Sequence, residues 1–297
     1  MTWRERIVKR IEETPEIRTA LAKYQGRPAV FDTVWPRDGD NGWAENKAYP
    51  RIVLKFFSGR KGRPRMRAEL YADITASGSA GTVETMISAM SERLSGVIIK
   101  AEDRGDTCIS LTEAPPRETA AINSAAVEGI ICCPTEFVVM EYPVQDTTDP
   151  DPVLALNRKL KEIYPEAVVL WYDVPEEVTD ITGSASACYC RLRKAESEKN
   201  SSSAAVKWMK CKADISVFSC DRNTAAKMAA SISDRLLEEE EIAMADGSPM
   251  FIKNVEFHPD RDGFRKSQII VKAVYGLLRH PEKKHRLTGV NTSWKGE

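Results

Sequence analysis

Histidine is nearly missing from this sequence. The three in 297 residues, His258, His280 and His285, all lie from position 258 onward. A Ser/His/Asp or Cys/His arrangement, or a histidine metal cluster, would have to be built from that end alone. Phosphate-binding and nucleophile loops are missing too, with no GxGxxG, GxxxxGK[ST] or GxSxG anywhere. No apolar run approaches the roughly 18 residues of a membrane span. Nothing reads as a secretory signal, since Thr2-Trp3-Arg4-Glu5-Arg6 opens an amphipathic helix, and the chain is expected to stay where it is made. Excess charge is lacking as well: 43 Lys and Arg face 44 Asp and Glu. That balance argues against a dedicated nucleic-acid binder. The seven cysteines include no CxxC pair, and Cys188 and Cys190 share a strand face with Leu192. They read as small core residues rather than as metal ligands or a disulfide. The acidic run Glu238 to Glu241 cannot converge as a whole on one substrate, which leaves a carboxylate hydrolase as the third-ranked reading. No catalytic, cofactor-binding or metal-ligating residue is nominated, and none of these groups is expected.

What the chain does have is a repetition. Residues 82–94 (TVETMISAMSERL) return at 224–236 (TAAKMAASISDRL), with Thr, Met, Ser, Arg and Leu in the same places at an offset of 142. Val83, Met86, Ile87, Met90 and Leu94 recur at helical spacing, as do Ala225, Met228, Ala229, Ile232 and Leu236. Each set predicts a helix lying on a sheet. Upstream, Leu70, Ala72 and Ile74 mark one face of a strand, and Ala213, Ile215 and Val217 mark its counterpart. Residues 30–36 match 169–175, and 51–56 match 188–193, as further short strands. Both copies close on an apolar strand, 137–142 and 269–275, and both open on a helix, 2–23 with a break at Pro15 and 152–164.

The order helix, strand, strand, strand, helix, strand, strand thus occurs twice. It predicts an α/β (α+β) fold of two tandem similar domains, each an antiparallel or mixed sheet with helices on one face. A chain of this length is where single cores tend to split. The expected division is 1–145, a solvated extended linker at 146–151, 152–279, and a polar tail at 280–297 that is disordered alone or ordered by a partner. The loop 36–47 (PRDGDNGWAENK) reads as long and mobile, and as a turn rather than a calcium loop.

The hairpin tip 58–65 carries Arg60, Lys61, Arg63 and Arg65 with no acid, and Arg67 follows it. The equivalent connection in the second copy runs from Lys194 through Lys199 to Lys207. Two readings stand: a solvated hairpin, or a finger that touches a polyanion or an acidic partner without reading sequence.

On Val34-Trp35-Pro36, on Tyr49-Pro50-Arg51-Ile52-Val53, and on the segments 67–74 and 82–94, the first half resembles the tail terminator or tail-completion proteins of long-tailed phages. The second half keeps Asp173-Val174-Pro175, 210–217 and 224–236 but lacks the Tyr-Pro before its second strand, so it is matched mainly through the first. The resemblance implies a structural virion protein of the tail, assembled in the host cytoplasm. Such a protein caps the head-proximal end of the tail tube, ends its polymerisation and joins tail to neck. It also implies a homo-oligomeric ring, a hexamer or a trimer with pseudo-six-fold symmetry. Its partners would be the tail tube protein and a neck or head-completion protein, with DNA only in passage and no membrane. The basic hairpins would line the lumen or dock on the tube. The alternative is another neck, baseplate or contractile-machine assembly protein, or a two-domain cytoplasmic adaptor.

Overall fold

In the computed structural model of the chain, the described residues are 1–59, 63–73, 75, 79–114, 122–123, 129–145, 147–173, 176–181, 185–198 and 205–278. Arg60, Lys61, Lys199 and the tail 280–297 lie outside them. The first half opens with α1 (Trp3–Glu12) and α2 (Pro15–Ala20), separated as Pro15 requires. Thr2 starts α1 through a capping box: its hydroxyl accepts from the Glu5 amide at 3.2 Å, and the Glu5 carboxylate accepts from the Thr2 amide at 2.7 Å. A small hairpin, β1 (Lys23–Tyr24) and β2 (Arg27–Pro28), precedes β3 (Val30–Asp32), β4 (Arg51–Ser58) and β5 (Pro64–Asp73). Then come α3 (Ser79–Leu94), β6 (Val97–Ala101), β7 (Thr107–Glu113), β8 (Ile122–Asn123) and β9 (Ile130–Pro143). The second half runs α4 (Pro152–Ile163), β10 (Val168–Val169), β11 (Val178–Asp180), β12 (Ser186–Ser197) and β13 (Val206–Ser219). It ends with α5 (Arg222–Glu238), β14 (Glu241–Ala243), β15 (Pro249–Phe257) and β16 (Ile269–Leu278).

The two halves build the same object. The main path of the first sheet is ordered β6-β7-β9-β5-β4-β3, and the second is ordered β14-β15-β16-β13-β12-β10. Element for element these are one topology, so the fold is a mixed α+β pair of similar curled units. In each unit the first short strand pairs in parallel with its neighbour, and the remaining pairs are antiparallel. On its main path each sheet has one more strand after the repeated helix than the sequence pattern counted, because β6 and β14 are short.

The repeated helices bury the faces their spacing predicts. Val83, Met86, Met90 and Leu94 enter a core with Ile7, Ile11, Leu54, Leu70 and Phe137. Met228, Ala229, Ile232 and Leu236 enter another with Leu156, Ile215, Val271 and Tyr275. Each fully buried Leu, Ile or Met contributes about 1.5–3 kcal/mol relative to exposure. Cys188 and Cys190 are in that second core, with Leu192 packed against it. The strand matching shifts by one residue here: Ile52 and Leu54 share the helix-covered face with Cys188 and Cys190, so Ile52 answers Cys188 rather than Tyr189. Strand alternation makes such a slip decisive, since it exchanges the two faces.

Two stretches read as loose are tied down. In loop 36–47, Trp43 is buried against Ala29 and Ala48, donates from Nε1 to the Arg37 carbonyl at 2.8 Å, and packs on Tyr24 and Phe31. Around the connection between halves, Gln145 accepts from the Leu192 amide at 2.7 Å, Thr148 bonds the Tyr275 hydroxyl at 2.8 Å, and Asp151 caps α4 by accepting from Val153 at 2.7 Å. A short polar connection between two adjacent units has backbone and side-chain partners within reach, so it is half-buried instead of solvated.

A third cluster lies between the units, where Ile98, Cys108 and Tyr142 of the first meet Leu170, Ile181, Ala187, Tyr189 and Phe218 of the second. β11, from the second half of the chain, pairs antiparallel with β6 and becomes the edge strand of the first sheet. The Lys100 amide donates to Glu177 at 3.0 Å and the Ile181 amide to Gly96 at 2.9 Å. Arg6, Arg10 and their partners Glu177 and Asp180 add ion pairs across the same seam. In this register Thr179 sits opposite Ile98, between those two bonded positions. Thr179→Pro removes a ladder donor there. It is expected to speed amide hydrogen exchange at Ile98 and Lys100 by at least tenfold while leaving α5 protected. Unchanged exchange at β6 would show that β11 contributes nothing to the seam.

Candidate functional site

Of the nominated cations among the described residues, Arg65, Arg67 and Lys194 lie on the helix-free faces of the two sheets, but not as one surface. Arg63 is exposed in the tip after β4, where its carbonyl accepts from the Gly59 amide at 2.7 Å. Arg65 and Arg67 point out from β5 and are answered by Glu136 of β9, at 3.2 and 2.6 Å. Arg67 also stacks over Phe57 at 5.5 Å and reaches Glu69 at 4.0 Å. The hairpin tip carries no acid of its own, yet the neighbouring strand supplies one. Lys194 projects from the helix-free face of the second sheet and pairs with Glu196 at 2.6 Å. Lys207 alternates with Trp208, so it shares the opposite face, that of Met209 and Cys211.

Residues that sequence reasoning passed over lie on these same faces. On the first sheet a cation cluster is already answered internally. Arg51, 5% exposed, donates to Asp38 at 2.6 Å and to the Tyr49 hydroxyl at 3.3 Å, with its guanidinium 4.6 Å from the Tyr49 ring and 5.6 Å from the Tyr71 ring. Burial works to raise the Asp38 carboxyl, but the Tyr49 and Arg51 hydrogen bonds prevail and hold it below the ordinary carboxylate value. Burial and the Asp38 bond push Tyr49 up to about 12. Beside it Lys55 and Tyr71 both bond the buried Glu69 at 2.7 Å. This face is therefore a network of paired charges.

The second sheet differs. Lys210, Lys212 and Lys272 join Lys194 on its helix-free face, and Lys253 edges in from a bulge in β15. The alternation of Lys210 and Lys212 with inward Met209, Cys211 and Ala213 was visible in the sequence. What was invisible was the register that sets Lys212 between two other lysines.

No protein-family model matches the sequence, and no curated protein matches it either. Among the described residues no group of three or more His, Cys, Asp and Glu is placed to hold a metal ion, and no helix is long and apolar enough to cross a membrane.

The cysteines are free thiols. Burial pushes Cys108 and Cys188 up to about 12 and Cys190 well above the usual thiol value. A thiol held protonated in the fold stabilises it fully below the unfolded value near 9, and that contribution is lost as pH rises from there toward 12. With a thiol-specific disulfide reagent at pH 8, exposed Cys220 is expected to react at once, and Cys108, Cys188 and Cys190 only on unfolding. Fast labelling of Cys188 in the native protein would contradict the core described above.

Proposed function

We propose that the chain is a structural assembly protein of a phage tail: a fused pair of terminator-like units that caps the head-proximal end of the tail tube, ends its growth and joins it to the neck. Its place of action is then the virion tail, and its work is done by surfaces. The observation that supports this reading best is the way the two units join. Units of one topology meet through different surfaces, the β6 edge of the first against β11, Leu170 and Tyr189 of the second. Contacts of that heterologous kind, repeated, close rings when the rotation between units closes. A tandem chain has one of every two such contacts built in covalently, so about three chains supply the roughly six units of a ring. The residues that carry the family resemblance are well placed to keep a unit intact, since Tyr49 and buried Arg51 both bond the exposed Asp38.

A second reading, a two-unit adaptor that stays a lone chain, is favoured by one observation. The β14 edge, equivalent to the β6 edge, is only three residues long, opens on exposed Glu241 and follows exposed Glu240. Short, charged edges discourage strand addition.

Native mass measurement with negative-stain imaging separates the two. Rings of about six units, whose addition to polymerising tube protein fixes tube length, are expected. A stable lone chain at micromolar concentration that leaves tube growth unchanged would overturn the cap in favour of the adaptor.

A further inference from the structure

Cations are crowded on the helix-free face of the second sheet in a way the fold does not itself resolve. Lys194 is directly opposite Lys212, and Lys212 is directly opposite Lys272. Adjacent strands are about 4.8 Å apart, and like charges directly opposite one another destabilise a sheet. Lys210 lies two residues from Lys212 on the same face. Together with Lys253 and the carboxylate Glu196, these four lysines line a shallow hollow of about 340 Å³ that Cys211, Ala273 and Val274 complete.

Carboxylates answer only part of this charge. Glu196 pairs with Lys194 at 2.6 Å, Glu198 with Lys210 at 2.5 Å and Glu256 with Lys272 at 2.5 Å. Lys212, half-buried at the centre of the row, has no carboxylate within 4 Å among the described residues, and Lys253 has only the Phe251 ring, at 5.4 Å. The first sheet shows what full internal compensation looks like: there Arg51, Lys55, Arg65 and Arg67 each reach an acid. Two cations without a carboxylate in contact, Lys212 with only the longer-range field of Glu256 and Lys253 with the Phe251 ring, leave the hollow suited to an anion.

Aromatic surface lies beside it. Trp208 is two residues from Lys210 on the same face, and its cross-strand partner is Gly276, so its ring leans over a position with no side chain. A Cβ there would stand 3.8 Å from the Trp208 ring and 2.9 Å from Val206. Phe251 is 6.3 Å from Trp208 between ring centroids, and both are half-exposed. Lysines that track phosphates next to flat rings on an open sheet face are the elements of a sequence-independent nucleic-acid platform.

We infer that this face binds nucleic acid through its phosphodiester backbone, with Lys212, Lys253 and Lys272 as phosphate contacts and with Trp208 and Phe251 favouring the single-stranded form. The near-zero net charge of the chain does not oppose this, because binding depends on the local field. The inference uses the second sheet alone and stands apart from the tail-cap reading, whose failure would leave it untouched.

The test is fluorescence anisotropy of the full chain with a labelled oligothymidylate and with a duplex of equal length, over a salt series. Single-strand affinity is expected to exceed duplex affinity. It should fall with salt by a log–log slope of about −0.7 for each phosphate contact. The Lys212→Glu/Lys253→Glu variant is expected to weaken binding at least tenfold and flatten the slope by about 1.4. Reversal of exposed Lys23, in the other unit, should change neither. Should the double variant not fold, Lys253→Glu alone, at an exposed bulge, is expected to flatten the slope by about 0.7. Trp208→Leu should reduce single-strand affinity more than duplex affinity. Absence of salt-dependent binding, indifference to these reversals, duplex binding as tight as single-strand binding, or equal binding of polyglutamate would each overturn the inference.

Discussion

Tyr142 stands at the point on which the arrangement of the two units depends. Its ring makes edge contacts with Tyr189 at 5.2 Å and Phe218 at 5.1 Å, its hydroxyl bonds Ser110 at 2.8 Å, and its carbonyl accepts from Trp171 Nε1 at 2.8 Å. A buried tyrosine needs its hydroxyl satisfied, and here both units contribute: Ser110 of its own unit bonds it at 2.8 Å, and the Phe264 carbonyl of the second accepts from it at 3.5 Å. The apolar part of the ring is left to the neighbouring unit. Edge-to-face pairs of this kind add about 0.5–1.5 kcal/mol each beyond the area they bury. Burial lifts the Tyr142 hydroxyl above its ordinary value and so favours the neutral form of the contact.

The seam explains why two strands in equivalent places are so unlike. β6 reads Val97-Ile98-Ile99, all nearly fully buried, because β11 covers its edge and the second unit covers its outer face. β14 reads Glu241-Ile242-Ala243, with only Ile242 buried, because among the described residues no further strand pairs beyond it. A hydrophobic edge is safe only where a partner is permanently held, and the covalent connection supplies that partner at a fixed high effective concentration. Duplication therefore produced one protected junction and one guarded end from the same topology.

How far this could be read from the residues follows from the range over which each signal acts. The helices 79–94 and 222–238 and their buried faces were legible, since a 3.6-residue period is local and the repetition reinforced it. The core roles of Cys188 and Cys190 were legible from a period of two. β6 and β14 were not, because three to five residues carry too little periodicity to stand out. β11 was beyond reach for another reason: its sequence shows that it can be a strand but not that its partner lies in the other unit. The one-residue slip between Ile52 and Tyr189 has the same origin, for register is set by the partner strand.

Charge shows the same division between what is summed and what is placed. A count of 43 against 44 describes a neutral chain, yet the two sheets handle their cations oppositely. On the first, Glu69 and Glu136 stand between Lys55, Arg65 and Arg67, so each acid is shared. On the second, Glu196, Glu198 and Glu256 each contact one lysine, and Lys212 at the centre of the row has no carboxylate in contact among the described residues. Screening at physiological salt acts over about 8 Å, so a surplus this local is felt by whatever touches that face and by little else. Two units that share a topology and a core logic thus differ most in electrostatics, the property that a substitution on an open sheet face can change without disturbing the fold.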